Sequence, residues 1–536
     1  MLAVLLLLTA APAAGLTGPA DWFTVTAAAE SQSGACGDAL TWTFDDTTGA
    51  LTVSGTGAMQ DYSYGGAPWY AFNDDIQNIM IESGVTTVGS YAFSYCHSIT
   101  TEITLPDSVT AIKDYAFYEC GKMIGVNLPQ NLTEIGVYAF SGCYALSGDL
   151  VIPDSVTILG ERAFQDTNLS TVTIGSGVTE IGKSTFFSCD ELTDVTIGSS
   201  VTTIGESAFT NCSELLSVTM SDSVKTIGKD AFYSDRALTR VTFGKGLTTI
   251  ESSAFGSCIS LTEMTIPDSV TQLGAYAFSY CPGLKSVTFG SGLTGIPMRA
   301  FAQCAALKNV TIPAGITEIA ADAFSDCEGI EGFTVSESNP AFSSEDGVLY
   351  DKARTALLDY PIGNARTSFA IPDGVTQIGT RAFEYANKLT SITLPGSLTM
   401  IGEGAFSYCR GLTSVIIPSG VTQIGAEAFY DCSSLASVTI PDTVTTIGHH
   451  AFSSTGLTNL FVPDSVTHID YSAFNNVVNV TYHGTATGAP WGARILNGET
   501  DGIFYLYRRH QDDAGVLRQS RAGNSDRSGR RDCIGI

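Results

Sequence analysis

The sequence is poor in charge and in long apolar runs. Charged residues make up 15% of its 536 residues, and 26 Lys and Arg stand against 54 Asp and Glu, for a net charge of -28. This excess of negative charge repels nucleic acid and anionic lipid headgroups. After residue 14 no stretch approaches the roughly 18 apolar residues that a membrane-spanning helix needs. We therefore expect no nucleic-acid partner and no membrane insertion of the exported chain.

The first residues are typical of an export signal. Residues 1–14 read MLAVLLLLTAAPAA, an apolar run followed by small residues that fit the A-x-A cleavage pattern. The run is too short to span a bilayer, and it lacks the usual positively charged start. We interpret 1–14 as a signal peptide, which predicts a secreted or cell-surface protein.

A phenylalanine, nearly always preceded by alanine, recurs along most of the chain. The spacing is 22 to 24 residues, with one gap of 59 after Phe324. Self-similarity at such a period is typical of a solenoid. The sixteen phenylalanines are Phe93, Phe117, Phe140, Phe164, Phe186, Phe209, Phe232, Phe255, Phe278, Phe301, Phe324, Phe383, Phe406, Phe429, Phe452 and Phe474.

Each repeat contains two extended pieces and a turn. In the copy at 412–432, LTSVIIPSGVTQIGAEAFYDC, the period-two alternation predicts a short strand with Val415 and Ile417 facing inward. Pro418 should end this strand, because proline cannot donate to a ladder. A second extended piece leads to Gly425, and the A-F-x-x-C segment has the spacing of one helical or 3₁₀ turn. One such coil cannot bury its own apolar face, so neighbouring coils must stack.

The consensus L-x-x-V-T-I-P-x-x-V-T-x-I-G-x-x-A-F-x-x-C resembles the BspA-like class of leucine-rich repeats, over about residues 76–482. The resemblance implies a mainly β fold with short helical or 3₁₀ turns, a right-handed leucine-rich-repeat solenoid of about 16 coils with a β-hairpin N-terminal cap. It also implies a secreted or cell-surface protein that acts in adhesion or protein binding. It supplies no catalytic residues.

The repeat pattern divides the chain into seven segments. The alternating residues on either side of Asp45 to Gly49 predict the hairpin of the N-terminal cap. In the gap between Phe324 and Phe383 we expect an insertion, with a hairpin at 348–360 that bulges from the array. The segments are 1–14 signal peptide, 36–75 N-terminal β cap, 76–334 repeats, 335–371 insertion, 372–482 repeats, 483–507 C-terminal cap and 508–536 disordered tail.

One motif suggests an enzyme. Residues 177–184, GVTEIGKS, match the phosphate-loop pattern G-x-x-x-x-G-K-[ST]. The glycines, however, fall where the repeat places them in other coils, and a phosphate loop needs a long helix after it. We therefore keep a nucleotide-binding enzyme only as an alternative that depends on this loop.

Eleven of the thirteen cysteines occupy one column, three residues after the repeat phenylalanine, where Thr167 and Asp235 stand in two other coils. Such a pattern favours small buried thiols over disulfides or a metal site. The pair His449 and His450 should be solvated surface, since adjacent residues on a turn diverge. Asp442 and Asp464 occupy equivalent turns, where turn formation explains them more simply than a calcium site. We predict no cofactor and no metal.

The best functional signal is the outward face of the first strand, expected to be concave. Between the inward Val and Ile nearly every coil has a threonine, a residue that favours strands and tolerates water. The outward position before Val varies instead, as on the binding surface of a solenoid. We choose these residues as the candidate protein-binding site: Asp194, Ser217, Arg240, Glu263, Ser286 and Asn309.

The sequence thus predicts a non-enzymatic surface module that presents this face to host or neighbouring-cell proteins. The first alternative is a passive structural spacer or coat protein without a partner. Ordering of water by the threonines, as in ice-binding solenoids, is disfavoured because a single threonine rank lies beside a mixed column.

Overall fold

The computed structural model describes residues 32–482, which form a solenoid of about 17 turns that consists almost entirely of short strands and turns. The predicted signal peptide at 1–14, C-terminal cap at 483–507 and disordered tail at 508–536 lie outside the described residues. Within the described part, one 3₁₀ helix is present, Tyr70–Asp75. The mainly β architecture expected from the repeat is confirmed.

In most coils the first strand pairs in parallel with its counterpart in the next coil, in the register expected from the repeat, for example Asp194 with Ser217 and Val195 with Val218. The pairing is interrupted at several places, one of them between Arg240–Thr242 and Glu263–Thr265. Its inward residues are buried and its outward residues mostly exposed. The strands of this first ladder are Asn78–Ile81, Glu102–Thr104, Gly125–Asn127, Ser147–Ile152, Asn168–Ile174, Asp194–Thr196, Ser217–Thr219, Arg240–Thr242, Glu263–Thr265, Ser286–Thr288, Asn309–Ile312, Gly332–Val335, Ser368–Ala370, Ser391–Thr393, Ser414–Ile416, Ser437–Thr439, Asn459–Val462 and Asn479–Tyr482.

A second ladder follows the proline turn. Its threonines add hydrogen bonds between coils, since a side-chain hydroxyl such as that of Thr202 donates to the backbone carbonyl of Thr179 at 3.1 Å. The strands of the second ladder are Gly57–Ala58, Val85–Val88, Ala111–Ile112, Glu134–Ile135, Ile158–Leu159, Glu180–Ile181, Thr203–Ile204, Thr226–Ile227, Thr249–Ile250, Gln272–Leu273, Gly295–Ile296, Glu318–Ile319, Phe342–Glu345, Val348–Asp351, Ala356–Asp359, Gln377–Ile378, Met400–Ile401, Gln423–Ile424, Thr446–Ile447 and His468–Ile469.

The A-F-x-x-C segment forms a third side, the turn face, built from successive hydrogen-bonded turns. In the coil at 207–212, the N–H groups of Ser207, Phe209 and Asn211 donate to carbonyls of the next coil at 2.8 to 2.9 Å. The intervening N–H groups bond within the coil, three residues back. Ser207 and Asn211 have φ of 55° and 63°, in the left-handed region. This alternation gives the turn face its own ladder of bonds between coils and replaces the helical turn suggested by the residue spacing.

The repeat phenylalanines stack in one continuous file in each part of the array. Phe232 and Phe255, for example, have ring centroids 5.2 Å apart and planes within 2°. Both rings are fully buried. Such contacts join each coil to the next, and they extend the core over the length of the ladder.

The predicted N-terminal cap hairpin is present. Leu40–Asp45 pairs antiparallel with Ala50–Gly55, and an additional strand, Gln32–Ala35, pairs with the outer side of Leu40–Asp45. Ala50–Gly55 then pairs in parallel with Asn78–Ile81 of the first ladder. Below the hairpin, Trp69 takes the place of the repeat phenylalanine: its ring stacks on Phe93 at 5.5 Å. The hairpin and Trp69 together cover the first turn of the core.

The expectation of a hairpin that bulges from the array at 348–360 is wrong. Val348–Asp351 pairs antiparallel with Ala356–Asp359, which in turn pairs in parallel with Gln377–Ile378 of the second ladder. Val348 and Leu357 are fully buried. The hairpin is therefore part of the ladder, because its apolar side chains complete the core between the two halves of the array.

Candidate functional site

The candidate residues form a single outward file on the first ladder. Neighbouring strands align Asp194 with Ser217 and Ser217 with Arg240, and further along they align Glu263 with Ser286. Asn309 opposes Gly332. Ser217 is half-buried and the other five candidates are exposed. The file is thus an accessible strip of varied polar side chains, although the strand pairing beneath it is interrupted between Arg240 and Glu263 and between Ser286 and Asn309.

Two charges of opposite sign lie in the middle of this strip, at Arg240 and Glu263, in successive coils. In the part of the chain that the structure describes, neither side chain takes part in an ion pair. Their charged groups are exposed. They are therefore free to pair with charges on another molecule, which favours electrostatic complementarity as a source of specificity.

Beside the variable file runs the threonine rank, in register from coil to coil, as in Thr173 with Thr196 and Thr196 with Thr219. The rank is interrupted toward both ends by apolar residues that face outward. Val151 opposes Thr173 and is 57% exposed, and Ile416 opposes Thr439 and is 73% exposed. Neither residue belongs to the candidate site chosen from the sequence, although their place in the threonine column predicts that they face outward.

The described column cysteines are buried thiols with a regular partner. Each Sγ from Cys120 onward donates to the carbonyl of the phenylalanine in the preceding coil, at 3.0 to 3.2 Å. Burial raises the pKa of the Cys120 and Cys281 thiols to about 12. A thiol with so high a pKa is a poor nucleophile and metal ligand. The column therefore has a packing role.

Asp235 places a carboxyl group in this column, where most coils have a cysteine thiol. Its carboxyl is fully buried; Oδ1 accepts a hydrogen bond from the Cys212 N–H at 2.8 Å, whereas Oδ2 has no partner. Burial raises the pKa of the Asp235 carboxyl well above its ordinary value, and the Cys212 hydrogen bond opposes this only partly. The group has no route to solvent, so it is a cost to stability rather than an acid in a site.

The phosphate-loop match at 177–184 does not have the geometry of one. Glu180–Ile181 is a two-residue strand of the second ladder, and turns of the turn face follow it. The Lys183 Nζ lies 3.1 Å from Glu206 Oε2, and the Ser184 N–H donates to the Glu206 carbonyl. In a phosphate loop the lysine and this amide would bind the phosphate. Here Lys183 and the Ser184 N–H interact with Glu206 of the next coil instead.

The two histidine rings diverge as expected, with planes 83° apart. They are half-buried rather than fully solvated, however, and His449 stacks on Tyr471 at 5.5 Å. Among residues 32–482 no group of three or more His, Cys, Asp or Glu side chains is placed to hold a metal ion. Some turn aspartates form hydrogen bonds to the next coil: Asp154, for example, accepts from the Ser176 N–H at 2.7 Å, which lowers the pKa of its carboxyl.

Two parallel ladders, a turn face and a file of stacked phenylalanines, repeated about every 23 residues, define a leucine-rich-repeat solenoid. The model of the BspA type leucine-rich repeat region matches residues 68–148, 147–258, 225–345 and 363–481. The chain belongs to this family, as its consensus indicated.

Several solved bacterial structures are similar to this chain. A leucine-rich cell surface protein from Faecalibacterium prausnitzii is 33% identical, with 65% of this chain and 91% of that chain covered and a TM-score of 0.53. A leucine-rich repeat protein from Bacteroides ovatus is 22% identical (83% and 98% covered, TM-score 0.47), and one from Eubacterium ventriosum is 21% identical (80% and 96% covered, TM-score 0.40). A search of curated proteins found no match. No helix among the described residues is long and apolar enough to cross a membrane.

Proposed function

We propose that this protein is a non-enzymatic binding module, secreted or held at the bacterial cell surface, that presents the outward face of its first ladder to host or neighbouring-cell proteins. The observation that carries the proposal is the exposed file from Asp194 to Asn309, with the unpaired charges of Arg240 and Glu263 at its centre. The 33% identical Faecalibacterium protein is described as a cell surface protein, which supports the location.

The dimensions of the strip indicate how large the contact must be. Coils stack about 4.8 Å apart, so six coils span about 24 Å, and a strip about 15 Å wide presents roughly 360 Å². A stable protein complex buries about 800 Å² on each partner. The interface should therefore extend beyond the six candidates, along the threonine rank toward further coils.

The test is a set of single charge reversals. Arg240→Glu and Glu263→Arg change the centre of the strip, and Arg236→Glu and Glu180→Arg are matched controls, since both control residues are exposed and lie off the first ladder. Binding to immobilised collagen, fibronectin and laminin is measured for the full chain and for each variant.

We expect a reversal in the strip to weaken binding about tenfold or more, because an attraction becomes a repulsion, while the controls bind as the unchanged chain does. Equal binding by all four variants would show that this face is not the site. If neither these three proteins nor any protein of a neighbouring cell binds, the proposal of a binding module is replaced by the first alternative, a passive spacer.

A further inference from the structure

The turn face of the first coils carries an exposed group of tyrosines that lies apart from the first ladder. Tyr95 is at its centre: its ring meets Tyr64 edge-on at 5.4 Å and Tyr118 edge-on at 5.4 Å. Tyr64 is 62% exposed, and Tyr95 and Tyr118 are half-buried. Glu119 follows Tyr118 directly, in the left-handed conformation with φ of 59°.

The Glu119 carboxyl lies over a glycine of the next coil. A Cβ built on Gly142, which has φ of +75°, would lie 2.7 Å from Glu119 Cδ, so a larger residue there would displace the Glu119 carboxyl. Burial raises the pKa of Glu119, and the charge of Asp166 acts in the same direction. Two neighbours lower the pKa of Glu119: the charge of His97, whose ring meets Tyr95 at 5.7 Å, and a hydrogen bond with the Tyr118 side chain. Within residues 32–482 no ion pair involves Glu119 or Asp166.

The same arrangement recurs near the other end of the array, where a guanidinium fills it. Tyr408 and Tyr430 meet edge-on at 5.3 Å, as Tyr95 and Tyr118 do. Asp431 follows Tyr430, as Glu119 follows Tyr118. The Arg410 guanidinium lies over the Tyr408 ring, 5.6 Å from its centroid, and Arg410 Nε donates to Asp431 Oδ2 at 2.9 Å.

The backbones of the two places also correspond. The N–H groups of Tyr95 and Tyr408 each donate to the carbonyl of the second tyrosine, Tyr118 or Tyr430, at 2.7 Å. Residue 97 therefore has the position of residue 410, two after the first tyrosine, and there the N-terminal copy has histidine instead of arginine. The C-terminal copy thus supplies its own guanidinium to the acid and the ring, and the N-terminal copy does not. The ring packing also differs, since Tyr408 stacks on Tyr385 at 4.6 Å whereas Tyr95 has edge-on neighbours.

We propose that the N-terminal copy, formed by Tyr95, Tyr118 and Glu119, binds the guanidinium of an arginine on a partner polypeptide. The face of the Tyr95 ring would contact the guanidinium, and the Glu119 carboxylate would accept charge-assisted hydrogen bonds from it. Tyr408 and Asp431 contact Arg410 in this way. A cation also offsets the desolvated charge of Glu119, which within residues 32–482 has a hydrogen bond with Tyr118 but no ion pair. This site is on the turn face and does not depend on the first-ladder proposal.

The experiment measures fluorescence anisotropy of a labelled peptide with four arginines spaced by glycines, and of its citrulline analogue, which has the same shape without the charge. The full chain is used at about 150 mM salt, so that the general attraction of a peptide to an acidic protein is screened. His97→Arg gives the N-terminal copy its own arginine, and Glu119→Gln removes its charge. Glu214→Gln, at an exposed turn in a coil without tyrosines, is the matched control.

We expect saturable binding of the arginine peptide and none of the citrulline peptide. His97→Arg and Glu119→Gln should each weaken binding about tenfold or more, and Glu214→Gln should leave it unchanged. Because His97 is exposed, His97→Arg tests occupancy of the site without disturbing the core. Absence of saturable binding by the unchanged chain, or equal binding by His97→Arg and Glu214→Gln, would overturn the proposal.

Discussion

Replacing Asp235 with threonine should stabilise the protein. In the native chain the Asp235 carboxyl is fully buried, and its Oδ2 has no partner. A buried polar atom without a partner costs about 1 to 3 kcal/mol. The Cys212 N–H, which now donates to Asp235, also bonds to the Phe209 carbonyl at 3.2 Å, so the substitution leaves that group satisfied.

Another coil shows that threonine fits this column. The Thr167 hydroxyl donates to the Phe164 carbonyl at 2.9 Å, and the same carbonyl accepts the Cys189 Sγ–H at 3.2 Å. At the mutated position, the Phe232 carbonyl already accepts the Cys258 Sγ–H at 3.2 Å and should accept a threonine hydroxyl in the same way. Asp235→Thr therefore reproduces an arrangement that the array already contains.

The stabilisation should depend on pH with a definite sign. Burial raises the pKa of Asp235 above its ordinary value of 3.8, so below that value both folded and unfolded chains hold the proton. As pH rises above 3.8, the unfolded chain loses the proton first, and the native protein loses about 1.4 kcal/mol of stability per pH unit until the folded pKa is reached. The advantage of Asp235→Thr should thus be about 1 to 3 kcal/mol near pH 3.5 and larger at pH 7.

The assay is urea unfolding at pH 3.5, 5 and 7, with native-state hydrogen exchange of the Cys212 amide as a local readout, because a repeat array need not unfold as one unit. Asp194→Thr, at an exposed strand position, is the control and should show no comparable trend with pH. An Asp235→Thr protein that is less stable than the native chain at pH 7, or whose advantage shrinks between pH 5 and 7, would refute the reasoning.

Three further outcomes follow from the core. Phe255→Ala should lower the free energy of unfolding by about 3 to 5 kcal/mol, because the buried ring stacks on Phe232 and Phe278 at 5.2 and 5.4 Å. Calorimetric unfolding measures this loss, and a loss below about 1 kcal/mol would show that the phenylalanine file does not stabilise the array. Trp69→Ala should lower the stability of the first coils by a similar amount, visible as faster amide exchange there than elsewhere, and uniform exchange would count against the cap. The twelve described thiols, all buried, should react with a thiol reagent only after unfolding, and rapid reaction in the native protein would contradict their burial.

Much of the fold could be predicted because the same residue pattern occurs in many copies of the repeat. Strand direction, the inward Val and Ile, the buried cysteine column and the cap hairpin each follow from alternation or from a fixed spacing. The family followed from the same consensus. Agreement among many copies makes such a reading robust to irregular residues in any one of them.

The insertion at 335–371 was harder to predict, since one coil in it changes its most diagnostic pair. Asp359 and Tyr360 replace Ala and Phe, but Tyr360 stacks on Phe383 at 4.9 Å, and its N–H bonds to the Ala382 carbonyl as a repeat phenylalanine would. The gap of 59 residues therefore contains a hidden coil. A search for any aromatic residue 23 positions before Phe383 would have found it.

The turn face could not be predicted from residue types. Its left-handed positions carry Tyr, Arg, Ser and Glu as well as glycine, although the left-handed region disfavours residues with a Cβ. Their conformation is imposed by hydrogen bonds to the next coil, which exist only after stacking. The arginine site proposed at Tyr95 could not be predicted for a related reason: only stacking of the coils brings the Tyr118 ring against Tyr95 and places Glu119 close enough to raise the pKa of Tyr95.

The central claim is that the coils are held by their neighbours through bonds in the two ladders and on the turn face, so that the outer surface is left for binding. Hydrogen exchange of the whole chain, resolved by residue, tests it most directly. The account predicts slow exchange for the alternating turn-face amides that cross between coils, such as those of Phe209 and Phe232, in nearly every coil. Fast exchange at these amides, with protection confined to a few separate blocks of the chain, would contradict it.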